Sequence, residues 1–503
     1  MPCPIKSERP HRLMTETAYE GRLFIDGDFR EAKSGNRYDV INPADESVVG
    51  TAADAGADDV YDAVTAARRA ADETSWGTDH KFRRHCLEQL QAGLRAELPE
   101  FRKLLTAEGG VPSSIIETHV DRMIDGMDFW NDMTTSFTWE EDLGSYELLG
   151  LRSNRRVRYE PYGVVGAITP WNAPFMTAIW KVSHSLATGN TVVLKSAPDT
   201  PLTAAKMAQV IAESTDIPPG VVNMISSEDK AIAGDAMTGD PRINMFHFTG
   251  SPGVGQRIME RAANGIRHVV LELGGKSANV LLPDADLDMA CAFGIGMCMS
   301  NSGQGCAIPT RMVVHADIYD EVLQRLETFV GMLPWGDPTD PTNVVGPIIR
   351  AEQVDRMEGL VDRAKEAGAR VLCGGKRGDR GGKGFWYEPT VVADVDENAE
   401  IAQNEVFGPV LSVIRYEGND DEAVRVANNS RYGLSGYVQS RDEDRAWAVA
   451  NRLKAGTVNI NNSFYLSPDA PFSGWGISGL GSEHGIAGFR DYLRCKTVAS
   501  PAK

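Results

Sequence analysis

The sequence contains no uninterrupted apolar run long enough to cross a bilayer, although 42% of its 503 residues are hydrophobic. Because a transmembrane helix needs about 20 consecutive apolar residues, we predict a protein with no membrane partner. The residues from Met1 to Lys6 are likewise followed by no apolar segment of the kind that a secretion signal carries. A cytoplasmic location is the resulting prediction.

Cysteine is scarce, with seven residues scattered along the chain and none in a CxxC pair. An odd, dispersed set predicts neither a disulfide framework nor a zinc or iron–sulfur site, so we expect reduced thiols and no bound metal. Cys291 and Cys298 lie in an apolar helical stretch, which is typical of cysteines buried as small hydrophobic residues.

Basic residues are outnumbered by acidic ones: there are 51 Lys and Arg and 70 Asp and Glu, so the net charge is -19. This charge repels phosphate backbones, and no basic stripe interleaved with aromatic residues opposes it. We therefore expect no nucleic acid partner. The length exceeds what one hydrophobic core organises, which predicts two or three domains.

The hydrophobic pattern changes along the chain. The first 140 residues are predicted to be mostly helical, as over 57–71, where one apolar face recurs. Residues 151–162 mix polar and apolar types around Ser153 and Asn154, which predicts an exposed hairpin that turns there. The tail 490–498 is predicted to add an exposed strand, and the glycine-rich segment 374–384 to form a surface loop.

From residue 163 onward, short apolar runs alternate with helical segments. The runs cover 163–169, 191–195, 221–225 and 245–248, and the helices cover 176–187 and 202–213. This alternation predicts a doubly wound α/β sheet that can bind a dinucleotide at its carboxyl edge. A second α/β region follows Gly274, with helices over 286–300 and 318–330 and strands over 410–415 and 456–461.

Cys306 is the strongest candidate for covalent chemistry. It follows Gly303 and Gly305, which we expect to leave space for a substrate carbon and to let backbone N–H groups face it. A free thiol with a pKa near ~8.5 is only a few per cent thiolate at neutral pH, but that fraction is strongly nucleophilic. A buried, inert cysteine is the competing interpretation.

Glu272 ends the apolar run from His268 and is soon followed by Gly274 and Gly275. A carboxylate at a strand end among apolar neighbours has a raised pKa and can act as a general base, although a surface carboxylate is the simpler alternative. Together with Cys306, it supplies what an enzyme needs to attack a carbonyl and hydrolyse the resulting thioester. The pair predicts an aldehyde-oxidising enzyme.

Two further turns follow predicted strands. Asn172 lies between Pro170 and Pro174, and its amide can donate to an oxyanion, an interaction worth roughly 2.7 to 4 kcal/mol in comparable sites. Ordinary turn chemistry is the alternative for this asparagine. The turn from Phe248 to Gly255 opens a helix and can receive a pyrophosphate, but it is neither GxGxxG nor a P-loop.

These residues together resemble the NAD(P)-dependent aldehyde dehydrogenase superfamily from about residue 20 to the end of the chain. The motifs that carry the resemblance, in family order, are Pro170-Trp171-Asn172, Trp180-Lys181, Lys195, Phe248 to Gly255, Glu272 to Lys276, Gly303 to Cys306, Glu405 to Pro409 and Pro471-Phe472. The resemblance implies an α/β fold with three parts. These are a Rossmann-like cofactor domain (20–142 and 162–274), an α/β catalytic domain (275–475) and a small β oligomerisation extension (143–161 and 486–503).

The resemblance also implies roles. Cys306 resembles the nucleophile, Glu272 the general base, Asn172 with the Cys306 N–H the oxyanion hole, and Lys181 an accessory lysine near the proton route. The implied partners are a small-molecule aldehyde, NAD as cofactor with NADP as an open alternative, and further copies of the chain in a homodimer or homotetramer. The implied cofactor-binding residues are Thr169, Pro170, Trp171, Lys195, Thr249, Gly250, Ser251, Gly255, Leu273, Glu405 and Phe407.

Four residues depart from the family pattern. Pro198 stands where many members carry a glutamate that grips the adenosine ribose, so there is less repulsion of a 2′-phosphate. Ser473, Gly476 and Ser482 replace a glycine, a lysine and an arginine, and we expect them to alter local packing or subunit contacts. Two alternatives stay open: a CoA-acylating dehydrogenase, against which Glu272 argues, and a non-catalytic protein that keeps the fold.

The substrate is the least determined feature. An apolar tunnel would favour aromatic or medium-chain aldehydes, although aromatic residues on a helix are often ordinary packing. The candidate lining residues are Met127, Phe129, Trp130, Trp171, Phe464 and Tyr465.

Overall fold

The computed structural model describes residues 19–502, so the segment Met1 to Lys6, which we predict to carry no secretion signal, lies outside it. Within those residues no helix is both long and apolar enough to span a membrane. The cytoplasmic location stays a prediction. The six cysteines of the described range are all unpaired.

The amino-terminal region begins with strands, so the prediction that it is mostly helical was wrong for its first third. The elements are β1 (Tyr19–Gly21), β2 (Leu23–Ile25), β3 (Asp28–Arg30), β4 (Arg37–Ile41), β5 (Val48–Ala53), α1 (Ala57–Glu73), α2 (His80–Ala96), α3 (Leu98–Gly109), α4 (Ile116–His119), α5 (Asp121–Asp125) and α6 (Met127–Ser136). Strand β4 alternates buried and exposed residues with a period of two. This strand pattern covers only five residues, so it is hidden when periodicity is judged over the longer segments used to recognise helices.

The next region forms the doubly wound sheet that the alternating pattern predicts. Its elements are β6 (Glu140–Leu148), β7 (Leu151–Pro161), β8 (Val164–Ile168), α7 (Pro174–Ala187), β9 (Thr191–Lys195), α8 (Leu202–Ser214), β10 (Val222–Ile225), α9 (Lys230–Gly239), β11 (Met245–Thr249), α10 (Pro252–Ala263) and β12 (His268–Glu272). Strands β12, β11, β8, β9 and β10 are parallel neighbours in that order. The strand order therefore reverses between β8 and β11, where a crevice for a ligand forms.

A second sheet of seven strands has the order β15-β16-β17-β14-β13-β18-β19, and only β15 is antiparallel. The elements of this last region are β13 (Ala278–Leu281), α11 (Leu287–Met299), β14 (Arg311–His315), α12 (Tyr319–Met332), α13 (Ala351–Glu366), β15 (Arg370–Cys373), β16 (Thr390–Ala393), α14 (Glu400–Gln403), β17 (Val410–Tyr416), α15 (Asp420–Asn428), β18 (Ser435–Gln439), α16 (Glu443–Ala450), β19 (Thr457–Ile460), β20 (Phe472–Ser473), β21 (Gly479–Leu480), β22 (Ser482–Glu483), α17 (Gly485–Asp491) and β23 (Leu493–Pro501). The link from β12 to β13 is short, so the two sheets meet where β12 ends.

A small exposed sheet has the order β23-β7-β6. The hairpin turns at Leu149 and Gly150, so the predicted turn at Ser153 and Asn154 was wrong. Both turn residues have positive φ, 54° and 75°, as a two-residue hairpin loop requires, whereas Ser153 and Asn154 lie inside β7. The predicted tail strand is present as β23, but α17 precedes it.

The glycines near the end of α11 give a matched stability test. Gly303 has φ +69°, and a Cβ there would overlap the carbonyl of Gly408, whereas a Cβ at the exposed Gly296 meets no atom within 4 Å. We expect Gly303→Ala to lower the free energy of unfolding by at least about 1 to 2 kcal/mol. Gly296→Ala should raise it by about 0.5 to 1 kcal/mol. Denaturant unfolding measures both, and equal effects would contradict the packing described.

Candidate functional site

The segment before Cys306 has a strained backbone. Asn301, Ser302 and Gly303 are all left-handed, with φ of 49°, 57° and 69°. For the two residues other than glycine this conformation costs about 1 to 2 kcal/mol each, so contacts must hold it. Asn301 Nδ2 donates to the Asn172 carbonyl at 3.1 Å, and Ser302 Oγ accepts from the Gly346 N–H at 2.8 Å.

The glycines around Cys306 have a packing role that the sequence interpretation missed. Gly303 lies against the Gly408 carbonyl, and a Cβ on Gly305 would approach Ile308 Cγ2 to 2.9 Å. The small residues therefore admit neighbouring protein atoms, and that they also leave space for a substrate carbon stays a prediction.

Asn172 lies beside the cysteine segment. Its Nδ2 donates to the carbonyl of Gln304 at 2.8 Å, two residues before Cys306. Gln304 is itself buried and accepts from the Ile349 N–H at 3.0 Å, which fixes the segment. An amide carries two hydrogens, so the second one on Asn172 remains available for an oxyanion.

Glu272 ends β12 and is paired in register with Thr249 on β11. Its side chain is 2% exposed, and neither carboxylate oxygen has a hydrogen-bond partner. Burial, followed by the negative charge of Glu483, raises its pKa well above the ordinary value, and Lys181 opposes this shift. A carboxylate with a raised pKa is a stronger base than one in water.

The thiol of Cys306 is protonated at rest for a similar reason. Burial, followed by the charges of Glu272 and Glu405, raises its pKa to about 12. The thiolate therefore forms only if a base removes the proton or if the surrounding charges change.

Lys181 belongs to a buried polar cluster. Its Nζ donates to Thr249 Oγ1 at 2.7 Å and to Glu483 Oε1 at 2.9 Å, and both charged side chains are at most 1% exposed. Glu483 also contacts His247 Nε2, and His247 Nδ1 contacts the Tyr492 hydroxyl. Burial alone would raise the Glu483 pKa, but Lys181 and then His247 bring it well below its usual range.

Sequence reasoning missed Glu483, His247 and Tyr492. A histidine at a buried position of a strand that is otherwise apolar was a visible signal for His247, because a buried polar side chain needs a partner. Glu483 gave no such signal, since its partner Lys181 is 302 residues away.

The turn after β11 has the form of a phosphate-binding site. A Cβ on Gly250 would overlap the Phe248 ring, and one on Gly255 would approach Leu273 Cδ2 to 2.7 Å, so a larger residue at either position would have to displace that side chain. Ser251 precedes α10, but its side chain does not cap the helix. The helix N-terminus is therefore left for an anion, which fits a dinucleotide pyrophosphate.

Among the remaining predicted cofactor residues, Thr169 and Lys195 lie at the same carboxyl edge, whereas Glu405 lies between α14 and β17. Lys195 ends β9, and burial lowers its pKa to about 8, while the Thr169 N–H donates to the Lys195 carbonyl at 3.1 Å. Glu405 accepts from the Gly275 N–H at 2.9 Å. Burial raises the Glu405 pKa to about 7.

Trp171, which follows Pro170, meets Phe407 edge to face at 5.2 Å and lies 5.6 Å from the Arg350 guanidinium. Phe407 has φ +59°, so a left-handed backbone turns its ring towards Trp171.

Two of the residues that depart from the family pattern contact each other. Ser473 Oγ and Ser482 Oγ are 2.7 Å apart and join β20 to β22, next to Glu483. A Cβ on Gly476, whose φ is +60°, would overlap the Arg431 carbonyl. That these changes alter local packing or subunit contacts stays a prediction.

The candidate tunnel residues divide into several groups. Met127 and Trp130 are at most 2% exposed and belong to the core, and Trp171 packs against Phe407. Phe464 is 45% exposed, and the charge of Glu272 contributes to the raised pKa of Tyr465. Phe129 is partly buried and packs against the same core. Three residues that were not predicted to line the tunnel pack against that core in the same way: Met176, Trp180 and Leu466.

Comparison with known proteins agrees with this geometry. The aldehyde dehydrogenase family model matches residues 29–498. A 3-succinoylsemialdehyde-pyridine dehydrogenase from Pseudomonas is 36% identical over 480 residues, which cover 95% of this chain and 98% of that protein.

Two solved structures are similar over nearly their whole length. The Mycobacterium tuberculosis aldehyde dehydrogenase complexed with NAD+ is 38% identical, with a TM-score of 0.92 and coverage of 96% and 99% of the two chains. A cysteine-to-alanine variant of Pseudomonas syringae aldehyde dehydrogenase C, complexed with NAD+ and octanal, is 35% identical, with a TM-score of 0.90 and coverage of 98% and 99%.

The raised pKa of Glu272 predicts how pH affects stability. Between the unfolded pKa near 4.5 and the higher folded pKa, the folded state binds more protons, so stability falls as pH rises through that window. Glutamine does not titrate, so Glu272→Gln does not lose stability in this way. The melting temperature of the variant relative to that of the wild type should therefore increase as pH rises from 4.5. Thermal melts at several pH values test this, with Glu147→Gln on the exposed strand β6 as a control. Parallel curves for Glu272→Gln and wild type would contradict the assignment.

Proposed function

This chain belongs to the aldehyde dehydrogenase family and is an NAD-dependent enzyme that oxidises an aldehyde to a carboxylate, and we propose that Cys306, Glu272 and Asn172 carry the reaction. The observation that supports these roles is the hydrogen bond from Asn172 to the segment before Cys306, while Glu272 ends β12, where the two sheets join. Asn172 is hydrogen-bonded to the cysteine segment, and Glu272 affects the thiol pKa.

The first step is covalent. The Cys306 sulfur, after losing its proton, forms a bond to the aldehyde carbon, and the carbonyl oxygen becomes an anion. The free amide hydrogen of Asn172 and the N–H of Cys306 donate to that oxygen, and each such donor is worth roughly 2.7 to 4 kcal/mol. NAD+, when bound, accepts the hydride from this adduct, which leaves a thioester.

Hydrolysis completes the cycle. Glu272 as carboxylate takes a proton from the water that attacks the thioester carbon, the carbon–sulfur bond breaks, and the acid leaves. Lys195, Glu405, Phe407 and the turn at Ser251 hold the cofactor in this proposal. Lys195 and Ser251 lie at the carboxyl edge of the first sheet, and Glu405 and Phe407 contact Gly275 and Trp171, which follow strands of that sheet.

Substitutions at the two reactive residues should separate the steps. Cys306→Ala is expected to abolish oxidation while NAD+ still binds, because only the nucleophile is lost. Glu272→Gln should release one stoichiometric burst of NADH and then turn over about 10² to 10⁴ times more slowly, because the base is lost. Stopped-flow absorbance and cofactor titration measure these outcomes.

The control for the first variant is Cys373→Ala, a partly buried cysteine on β15 that should retain full activity. Full turnover by Glu272→Gln would remove the base assignment. Rapid turnover that requires CoA would favour the acylating alternative.

We also propose that the substrate is an apolar aldehyde of medium chain length or with an aromatic ring. Phe129, Met176, Trp180 and Leu466 are partly buried apolar side chains that each pack against the same core, and Trp180 directly precedes Lys181 on α7. Tyr465, whose pKa responds to Glu272, adds a ring near the reacting atoms.

A kinetic panel tests the substrate class. Each buried methylene contributes about 0.8 kcal/mol, so lengthening butanal to hexanal should raise kcat/KM roughly tenfold. Betaine aldehyde and small charged semialdehydes should be poor substrates. The panel is run with NAD+ and NADP+ in parallel, because Pro198 leaves the 2′-phosphate unopposed. A preference for the charged aldehydes would reject this substrate class.

We further propose that copies of the chain associate as a homodimer or homotetramer through residues 143–161 and 486–503. In this proposal, residues 20–142 and 162–274 form the cofactor domain, and residues 275–475 form the catalytic domain. Strand β6 leaves one edge of its sheet unpaired. Leu143, Tyr146, Leu148, Leu149 and Leu151 are all exposed on this hairpin. An open strand edge with apolar side chains supports pairing with another chain.

A further inference from the structure

Lys195, which ends β9 at the cofactor edge, is a buried cation with few partners. Its side chain is 3% exposed. Within residues 19–502 its Nζ donates one hydrogen bond, to the Ser196 carbonyl at 3.3 Å. An ammonium group carries three hydrogens, so two remain for a ligand. A dinucleotide bound at this edge offers hydroxyl and phosphate oxygens to such a group.

Asp199 follows Lys195 by four residues, in the loop after β9. Its Oδ2 accepts from Arg350 Nη1 at 2.8 Å and lies 3.8 Å from Lys230 Nζ. Its Oδ1 accepts no hydrogen bond from the part of the chain that the structure describes, and the side chain is 18% exposed. One carboxylate oxygen is therefore available to a ribose hydroxyl of the bound cofactor.

The two cations that contact Asp199 come from different parts of the chain. Arg350 directly precedes α13, and its guanidinium lies 5.6 Å from the centre of the Trp171 ring. Lys230 is the first residue of α9. Asp199 thus joins the loop after β9 to α9 and to the segment before α13, so these two contacts hold the carboxylate at the cofactor edge.

The charges in this region partly cancel. Burial, followed by the charge of Lys230, lowers the pKa of Lys195 to about 8, and three carboxylates oppose this shift: Asp199, Asp229 and Asp54. Asp229 accepts from a backbone N–H at the start of α9 at 2.7 Å, and Asp54 accepts from one shortly before it at 2.9 Å. Asp199 is held instead by two cationic side chains, so the charge that it presents to a ligand depends on how far they neutralise it.

We propose that Asp199 determines a preference for NAD+ over NADP+, with Arg350 limiting its charge; this rests on the role of Lys195 in cofactor binding proposed above. A carboxylate accepts a hydrogen bond from a ribose 2′-hydroxyl but repels a 2′-phosphate, which carries about two negative charges at pH 7. Pro198 has no charged side chain, so in this proposal the next residue supplies the discrimination.

An ion pair that only ties the two segments together predicts a different result. Loss of either partner would then break the same contact and change the binding of both cofactors in the same direction. A charge that acts on the cofactor predicts opposite effects for the two partners, because Asp199 is negative and Arg350 is positive.

Titrations of the full-length enzyme with NAD+ and with NADP+, followed by quenching of tryptophan fluorescence, measure both Kd values without turnover. Asp199→Asn keeps the shape of the side chain and removes its charge, so the Kd for NADP+ relative to that for NAD+ should fall at least about fivefold. Arg350→Gln should raise this ratio, because the Asp199 carboxylate is then less neutralised. The double variant should lie between the two single variants.

Asp420→Asn is the matched control. Asp420 on α15 pairs with Arg445 on α16 at 2.6 Å, and their side chains are 29% and 33% exposed. The side chains of Asp199 and Arg350 are comparable, at 18% and 30%. The control should leave the ratio of the two Kd values unchanged, because this pair belongs to the second sheet region.

The proposal is overturned if Asp199→Asn and Arg350→Gln move the ratio in the same direction, or if folded Asp199→Asn leaves it unchanged. A wild-type enzyme that binds NADP+ more tightly than NAD+ also overturns it. If Asp199→Asn does not fold, Arg350→Gln decides, and a ratio that falls or stays constant contradicts the proposal. A Lys195→Met variant that binds both cofactors as tightly as the wild type would instead reject the proposed role of Lys195.

Discussion

The buried ion pair of Lys181 and Glu483 is the interaction on which the site depends. Removing two charges from water costs several kcal/mol for each ion, so the pair persists only with good geometry and further hydrogen bonds. Thr249 and His247 supply those bonds and tie α7, β11 and the β22 segment together. The same pair sets the charge that Glu272 experiences at the end of β12, so fold and chemistry share one constraint.

A second constraint follows from burial. Burial raises the pKa values of both Glu272 and Cys306, so each holds its proton more firmly than it would in water. A site of this kind is protected from oxidation and from hydrolysis of the wrong ester, because the reactive thiolate and carboxylate form only when their protons have somewhere to go. The direction in which protons move therefore matters as much as the position of the two residues.

The sequence predicted the parallel strands well, with Thr191 to Lys195 matched residue for residue, because a strand buried on both faces is a continuous apolar run. It predicted Cys306, Glu272 and Asn172 as one group through family resemblance, and the structure brings them together. It did not predict the contact between Lys181 and Glu483, because nothing local records a pairing across 302 residues. The early strands were missed because three to six residues are too few for a periodic signal.

The contact of Gly303 with the Gly408 carbonyl has a mechanical consequence. Backbone lies directly on backbone there, so no side chain can rearrange to absorb a shift between the two segments. One segment carries Cys306 and the other carries Glu405, which is three residues before Gly408 in the chain. The sulfur of Cys306 and the carboxylate of Glu405 are thus mechanically coupled, so a displacement of one segment is expected to displace the other.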